Sequence, residues 1–272
     1  TADVGFRRGK QIPLKSIVDK AVIGAPSVEH VIVLRRTEPS SELYSEMEVD
    51  FYGLTEGVGD HCEPEEMAAD DPLFILYTSG TTGPPKGIVH ACAGYMVGVY
   101  YTTRSVFDIR EHDLLWCTAD PGWITGHSYI VYGPLLSGAS VLITETTPDY
   151  PDPGIWWSII EEFGVSIFYT APTAIRMFMK VGEEWPARHD LSSLRIIGSV
   201  GEPLNPEAFE WYYRVIGQGR CPVLDTWWQT ETGMHMITTI AGEPMKAGFV
   251  GRAIPGVVAD VVDRDGNSLP PG

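Results

Sequence analysis

Short runs of aliphatic and β-branched residues recur along the chain, separated by longer stretches whose apolar positions return every three or four residues. The short runs, His30 to Leu34, Leu73 to Tyr77, Leu114 to Thr118, Ser140 to Thr144, Val165 to Tyr169, Leu194 to Gly198 and Pro222 to Asp225, each predict a strand. The clearest helix is predicted over Pro206 to Ile216, with Asn205 as N-cap, Pro206 at the first helical position and Gly217 just past the end. Its members Phe209, Tyr212, Tyr213 and Ile216 share one face and are assigned to core packing. Strand-like and helical patterns in alternation predict an α/β fold, parallel or mixed sheets flanked by helices. After about Ala241 the pattern changes: Val257 to Val262 alternates like a strand and Asp265-Gly266 suits a hairpin turn, so a small β-barrel subdomain is expected to begin there. No partner strand is expected after that turn, which suggests a truncated protein. Three units are expected, at 1–105, 106–240 and 241–272.

Composition narrows the picture. Of 272 residues 44% are hydrophobic, enough for a sizeable core. The 19 Lys+Arg against 36 Asp+Glu give a net charge of −17, which disfavours nucleic acid and anionic membrane as partners. No apolar stretch approaches the ~20 residues that cross a bilayer, and the first residues lack a signal peptide's apolar centre, so a cytoplasmic protein is expected. Cys62, Cys92, Cys117 and Cys221 are widely spaced and form no C-x-x-C pair, so neither zinc nor a disulfide framework is suggested. Asp60 to Asp71, with His61 beside Cys62, reads as an exposed acidic connection before a buried strand.

That strand, Leu73 to Tyr77, empties into Thr78-Ser-Gly-Thr-Thr-Gly-Pro-Pro-Lys-Gly87. Such a loop is suited to phosphate. Gly80 and Gly83 let backbone N–H groups approach phosphate oxygens, Thr78, Ser79, Thr81 and Thr82 add hydroxyls, and Lys86, before Gly87, adds a positive charge. It is not a Walker A loop, because Lys86 follows two prolines and precedes glycine.

The ten-residue order resembles the phosphate-binding signature of the adenylate-forming superfamily, which includes the AMP-forming acyl-CoA synthetases. Four further segments follow in the order that superfamily requires and resemble its acetyl-CoA synthetase branch: Trp116 to Tyr129, Tyr169 to Arg176, Gly198 to Ala208 and Asp225 to Gly233. The resemblance spans Arg7 to about Gly256. It implies that Gly201, Glu202 and Pro203 form an adenine-binding turn completed by Asp225, Thr226 and Trp227, with Gln229 in the same ATP-binding segment. It further implies that Thr230 touches the α-phosphate, Glu231 holds Mg²⁺, and Lys86, Thr230 and Glu231 carry the catalytic work. Magnesium favours one or two carboxylates plus phosphate oxygens, so a single glutamate beside a triphosphate suits it. Ile124, Thr125, Val200 and Trp228 are implied as walls of an acyl pocket, with Trp228 across its floor, so that only a very short acid fits. Arg7, Arg8 and Lys10 resemble the basic segment that meets coenzyme A, although Lys10 stands where the family usually has arginine and loses bidentate geometry.

The implied reaction joins acetate, ATP and coenzyme A through acetyl-AMP, without a protein nucleophile; His127 could orient the site. Propionate or another short acid is the alternative substrate, a non-catalytic nucleotide-binding homologue a second reading, and a phosphotransferase a third. The resemblance also implies that an N-terminal part and a C-terminal domain with the adenylation lysine belong to the same parent chain, and that these 272 residues alone would be inactive.

Overall fold

The computed structural model describes residues 1–37, 45–78 and 83–270. Packing divides them into two units, one of residues 1–66 with 145–152 and one of residues 67–144 with 153–272.

In the first unit, β1 (Gly5–Arg7) and β2 (Lys10–Ile12) form a hairpin whose two-residue turn is Arg8-Gly9. Both turn residues have positive φ, +49° and +72°, the mirror-image turn that matches the twist of paired strands. Helix α1 (Leu14–Ile23) follows, then β3 (Val31–Val33) pairs in parallel with β4 (Glu48–Asp50), which runs into the short α2 (Phe51–Thr55). The Lys15 ammonium binds both Asp19 and Glu48, tying α1 to β4.

The second unit opens with an antiparallel hairpin, β5 (Pro72–Thr78) and β6 (Lys86–Ala91), which continues into α3 (Cys92–Val106). The strand expected to be buried is only half so: Ile75 and Tyr77 face solvent, and among the described residues β5 pairs with β6 alone, one face of that hairpin being left open. The seven-stranded sheet holds the main body. Its members are β7 (Leu114–Cys117), β8 (Ser140–Leu142), β9 (Ile167–Thr170), β10 (Ile196–Val200), β11 (Val223–Trp227), β12 (Ile237–Thr238) and β13 (Arg252–Ala253). They lie in the order β13-β12-β11-β10-β9-β7-β8; β8 to β11 are parallel, and β12 and β13 are antiparallel.

The central strands are buried almost throughout and largely apolar because both faces are covered, the polar exceptions Thr170, Ser199, Asp225 and Thr226 lying toward their carboxyl ends. Alternate residues serve opposite faces. Trp116, Phe168, Ile197 and Val223 point to one core with Trp156, Trp157 and Phe178, whereas Leu115, Ile167, Ile196 and Leu224 point to the other with Phe107, Tyr129 and Ile130. The first core is covered by α6 (Ile155–Phe163), α7 (Pro172–Val181) and α8 (Pro206–Trp211), the second by α3 and the segment 124–136. That segment runs from α4 (Ile124–Gly126) through a π-helical stretch (His127–Tyr132) into α5 (Gly133–Leu136). Each large side chain buried this way contributes roughly 1.5–3 kcal/mol.

Two expectations need correction. The helix from Pro206 keeps its start, but the Asn205 side chain caps no N–H, and residues Tyr212–Ile216 form a π-helical stretch before Gly217. Residues 257–262 make no strand ladder. Val262 alone bridges Ser268 across the Asp265-Gly266 turn, so a pairing partner does follow that turn. Val258 is 99% and Val261 70% exposed, so alternation there has no apolar surface to bury among the described residues.

Candidate active site at the strand ends

Parallel strands deliver their loops to one edge, and the crossovers place a crevice on that edge. The connection from β7 to β8 passes over the Tyr129 face, while those from β8 to β9, β9 to β10 and β10 to β11 pass over the Trp156 face. Crossovers of constant hand change face where the strand order reverses, here between β7 and β9. Ligands in such sheets bind outside the carboxyl ends beside that reversal. The four segments singled out in the sequence leave β7, β9, β10 and β11 at this edge. Thr118 and Thr170 close the gap between the two diverging chains, with their hydroxyls 2.7 Å apart.

The wall made by β10 and β11 is well fixed. Ser199 pairs with Asp225 and Val200 with Thr226, so the turn Gly201-Glu202-Pro203 emerges beside Asp225, Thr226 and Trp227. Gly201 takes φ +94°, a conformation glycine adopts without strain, which lets the chain leave β10 sharply. The Glu202 carboxylate is engaged by the Thr173 hydroxyl and by Arg176, both on α7, and these favour its charged form and hold its pKa below the usual carboxylate value. Glu202 therefore anchors its turn. Asp225 is buried, and burial pushes its carboxyl up to about 6 despite hydrogen bonds from the Leu204 and Thr226 amides.

The phosphate segment is described in part. Ser79, Gly80, Thr81 and Thr82 lie outside the described residues. Thr78 ends β5, Gly83 has φ +134°, and Lys86 begins β6 opposite Thr78, exposed, with Gly87 opposite Tyr77. The strand carrying Lys86 is pinned to the segment after β11, because His90 Nε2 donates to the Thr230 carbonyl at 2.7 Å. The same segment is held from below, where Tyr95 OH donates to Ser128 Oγ (2.7 Å) and Ser128 Oγ donates to the Gly233 carbonyl (2.6 Å). Glu231, next to Thr230, is exposed, and its carboxylate has no hydrogen-bond or ion-pair partner among the described residues. Gln229 is exposed on the turn closed by Thr232.

Of the expected acyl-pocket residues, Val200 belongs to the Tyr129 core and Trp228 packs against that core. Ile124 and Thr125 are half-buried at the head of α4 and are not part of that cluster. Sequence reasoning assigned no role here to His235, Tyr129 or Tyr169. His235 is fully buried and stacked on Tyr129 at 4.0 Å, and Tyr169 lies within hydrogen-bond reach of Thr226, His235 and Trp228. His127 packs against Phe74 and donates Nδ1–H to the Trp123 carbonyl. Cys117 is buried and its thiol is pushed up to about 12 by that burial, so it is no nucleophile.

In the first unit Arg7 and Lys10 stand directly opposite each other beside the hairpin turn, both exposed and neither ion-paired among the described residues. Arg8, at the tip, is held by Asp149 at 2.7 Å.

A parallel sheet whose strand order reverses between β7 and β9, joined to a segment of phosphate-binding composition, is the arrangement of a nucleotide-handling α/β enzyme. The chain belongs to the AMP-binding enzyme family, whose model matches residues 8–272. It is 55% identical over 272 residues to the acetyl-coenzyme A synthetase of Methanothrix thermoacetophila and 54% identical to that of Chromobacterium violaceum, covering all of this chain but 41% and 42% of theirs. Acetoacetyl-CoA synthetase from Streptomyces lividans is a structural neighbour, with a TM-score of 0.86 at 25% identity over 99% of this chain and 41% of that one. The chain thus spans about two fifths of the length of these relatives. Among the described residues no helix is long and apolar enough to cross a membrane.

Proposed function

We propose that the protein of which this chain forms part ligates acetate to coenzyme A, converting ATP to AMP and diphosphate. The observation that supports this reading is that Val200 and Trp228 share one apolar cluster, and that they flank the Gly201–Pro203 and Asp225–Trp227 wall at the carboxyl ends of β10 and β11. Names and identities of the relatives support it.

Carboxylates are poor electrophiles. Attack of an acetate oxygen on the α-phosphorus, with departure of diphosphate, gives acetyl-AMP; attack of the coenzyme A thiolate on the acetyl carbon then expels AMP, the thiol proton passing to solvent. Charge grows on the phosphate oxygens in the first step, and the protein's task is to position and neutralise it. Backbone amides of 79–87 and the exposed Lys86 ammonium would serve the β- and γ-phosphates, and Thr230 the α-phosphate. Trp228 would close the pocket behind the acetate methyl, with Ile124 and Thr125 on its other wall.

Magnesium fits Glu231. The carboxylate is exposed and unengaged, and no group of three or more His, Cys, Asp or Glu able to hold a metal occurs among the described residues, so the remaining ligands would come from phosphate and water. When bound, the ion supplies charge neutralisation on the phosphates. Arg7 and Lys10 would meet coenzyme A, because like charges placed directly opposite each other on a hairpin repel and an arriving phosphate relieves that repulsion. A cytoplasmic site of action suits the −17 charge and the chemistry of ATP and coenzyme A.

The test is product analysis with the longer protein, ATP, acetate and coenzyme A. AMP, diphosphate and acetyl-CoA in equal amounts are expected. Formation of ADP would refute the reading, and a preference for propionate would move the substrate assignment by one methylene.

A further inference from the structure

We infer that Tyr169 and His235 are positioning residues that hold the Trp228 indole in place, and so set the acyl-chain length the pocket accepts. The inference rests on the reading of Trp228 as the pocket floor.

The proton positions in this network follow from its geometry. Thr226 Oγ1 donates to the Ser199 carbonyl at 2.8 Å, so its remaining capacity is as an acceptor. Tyr169 OH, 2.6 Å away, must then donate its single proton to Thr226. The phenol oxygen is left to accept from Trp228 Nε1–H at 3.4 Å and from His235 Nε2 at 3.1 Å. His235 is therefore the tautomer with its proton on Nε2. Burial keeps the imidazole neutral, holding its proton affinity well below the ordinary histidine value. Its Nδ1 is buried and has no partner among the described residues, as expected if the ring is retained for its Nε2–H and its stack.

That ring is fixed from three sides. It stacks on Tyr129 at 4.0 Å and 18°, its backbone N–H donates to Tyr129 OH at 2.8 Å, and its edge faces Trp228 at 5.8 Å. Tyr129 presents its edge to the same indole at 5.2 Å and 88°. Trp228 is thus boxed by two rings and tethered through its only polar atom to a phenol that can turn no other way. A half-buried indole at the end of a strand has rotamers to explore, and the tether removes them. An indole that cannot swing away excludes a longer chain; one that can swing admits it.

The experiment uses the longer protein with Tyr169→Phe, His235→Phe, His235→Gln and Trp228→Gly, and reads kcat/KM for butyrate relative to acetate. Both Phe variants are expected to raise the ratio about tenfold, the low end of what one methylene is worth in a pocket, through KM for the acid while KM for ATP holds. His235→Gln, which retains an amide N–H near the Nε2 position, is expected to keep the wild-type ratio. The ¹⁹F resonance of 5-fluorotryptophan at position 228, assigned by its loss in Trp228→Phe, should broaden in both Phe variants and stay sharp in His235→Gln. An unchanged ratio in Tyr169→Phe and His235→Phe, when Trp228→Gly does shift it, overturns the tether and leaves the pocket reading intact. An unchanged ratio in Trp228→Gly overturns the pocket reading; a sharp ¹⁹F line in Tyr169→Phe then removes the tether as well.

Discussion

Replacing Asp225 with asparagine should stabilise the protein near neutral pH and remove part of its pH dependence. The carboxyl is 7% exposed, and burial raises it from 3.8 to about 6. At pH 7 the folded protein holds a charge that its surroundings disfavour, at a cost of about 3 kcal/mol, taking ~1.36 kcal/mol for each tenfold change in proton affinity. The sign follows from proton counting. Between pH 3.8 and about 6 the folded state keeps a proton that the unfolded chain has released, so stability falls as pH rises through that window and the full penalty stands above it. Asparagine has the same shape and no charge, and its carbonyl can still accept from the Leu204 and Thr226 amides. Its amide nitrogen replaces an acceptor by a donor, which offsets about 1–2 kcal/mol of the gain. The offset does not depend on pH, so the expected result is a variant about 1 kcal/mol less stable than wild type at pH 4, where little of the penalty stands, and about 1–2 kcal/mol more stable at pH 7. Thermal unfolding followed by circular dichroism across pH 4 to 8 measures this. Parallel curves for the two proteins across that range would refute the reasoning. A group retained against such a cost at the proposed nucleotide wall is expected to act there, so KM for ATP should rise in the variant even though its fold is firmer at pH 7.

The remaining predictions concern the longer protein. Lys86→Ala should raise KM for ATP and lower turnover together, about tenfold or more, as measured by diphosphate release; unchanged values would remove Lys86 from the phosphate site. Glu231→Gln should shift half-maximal Mg²⁺ to higher concentration at little cost in stability, since the side chain is exposed, and unchanged magnesium dependence would contradict the assignment. The double variant Arg7→Ala, Lys10→Ala should raise KM for coenzyme A while leaving acetate-dependent exchange between ATP and diphosphate intact, and the wild-type KM should itself rise with salt. Loss of the exchange reaction would show that the hairpin serves the fold instead.

The parallel strands were legible because each is a nearly continuous apolar run, as in Leu114–Cys117 and Ile167–Thr170, and such runs persist only when both faces of a sheet are covered. The β1–β2 hairpin was not, since Arg8-Gly9 is a poor turn signal beside Asn-Gly, and only three residues pair on each side. Strand β6 was hidden by the loop before it, whose composition drew attention to phosphate and away from the alternation in Ile88, Val89 and His90. Val257 to Val262 misled in the opposite sense, because alternation signals a strand only where a second surface buries one of its faces.

The site shows the same division at the level of single residues. The juxtaposition of ordered motifs, such as Gly201-Glu202-Pro203 beside Asp225-Thr226-Trp227, was readable because strand register brings two distant segments side by side. Glu202 was readable in position but not in role, since its carboxylate is engaged by Thr173 and Arg176, which no pattern within its own segment reveals. His90 and His235 carried no signal. One bonds a carbonyl 140 residues away and the other a phenol 66 residues away, and each is a lone histidine in an apolar neighbourhood. Yet both act on the same segment, 228–235. His90 fixes Thr230, and with it the place of Glu231, while His235 backs Trp228. The loop after β11 thus takes its conformation from buried contacts that include one to the strand that carries Lys86, one to Ser128 and others to the core beneath the proposed acyl wall. A change at either histidine should displace phosphate and acyl groups relative to each other, and the geometry of in-line attack depends on that relation.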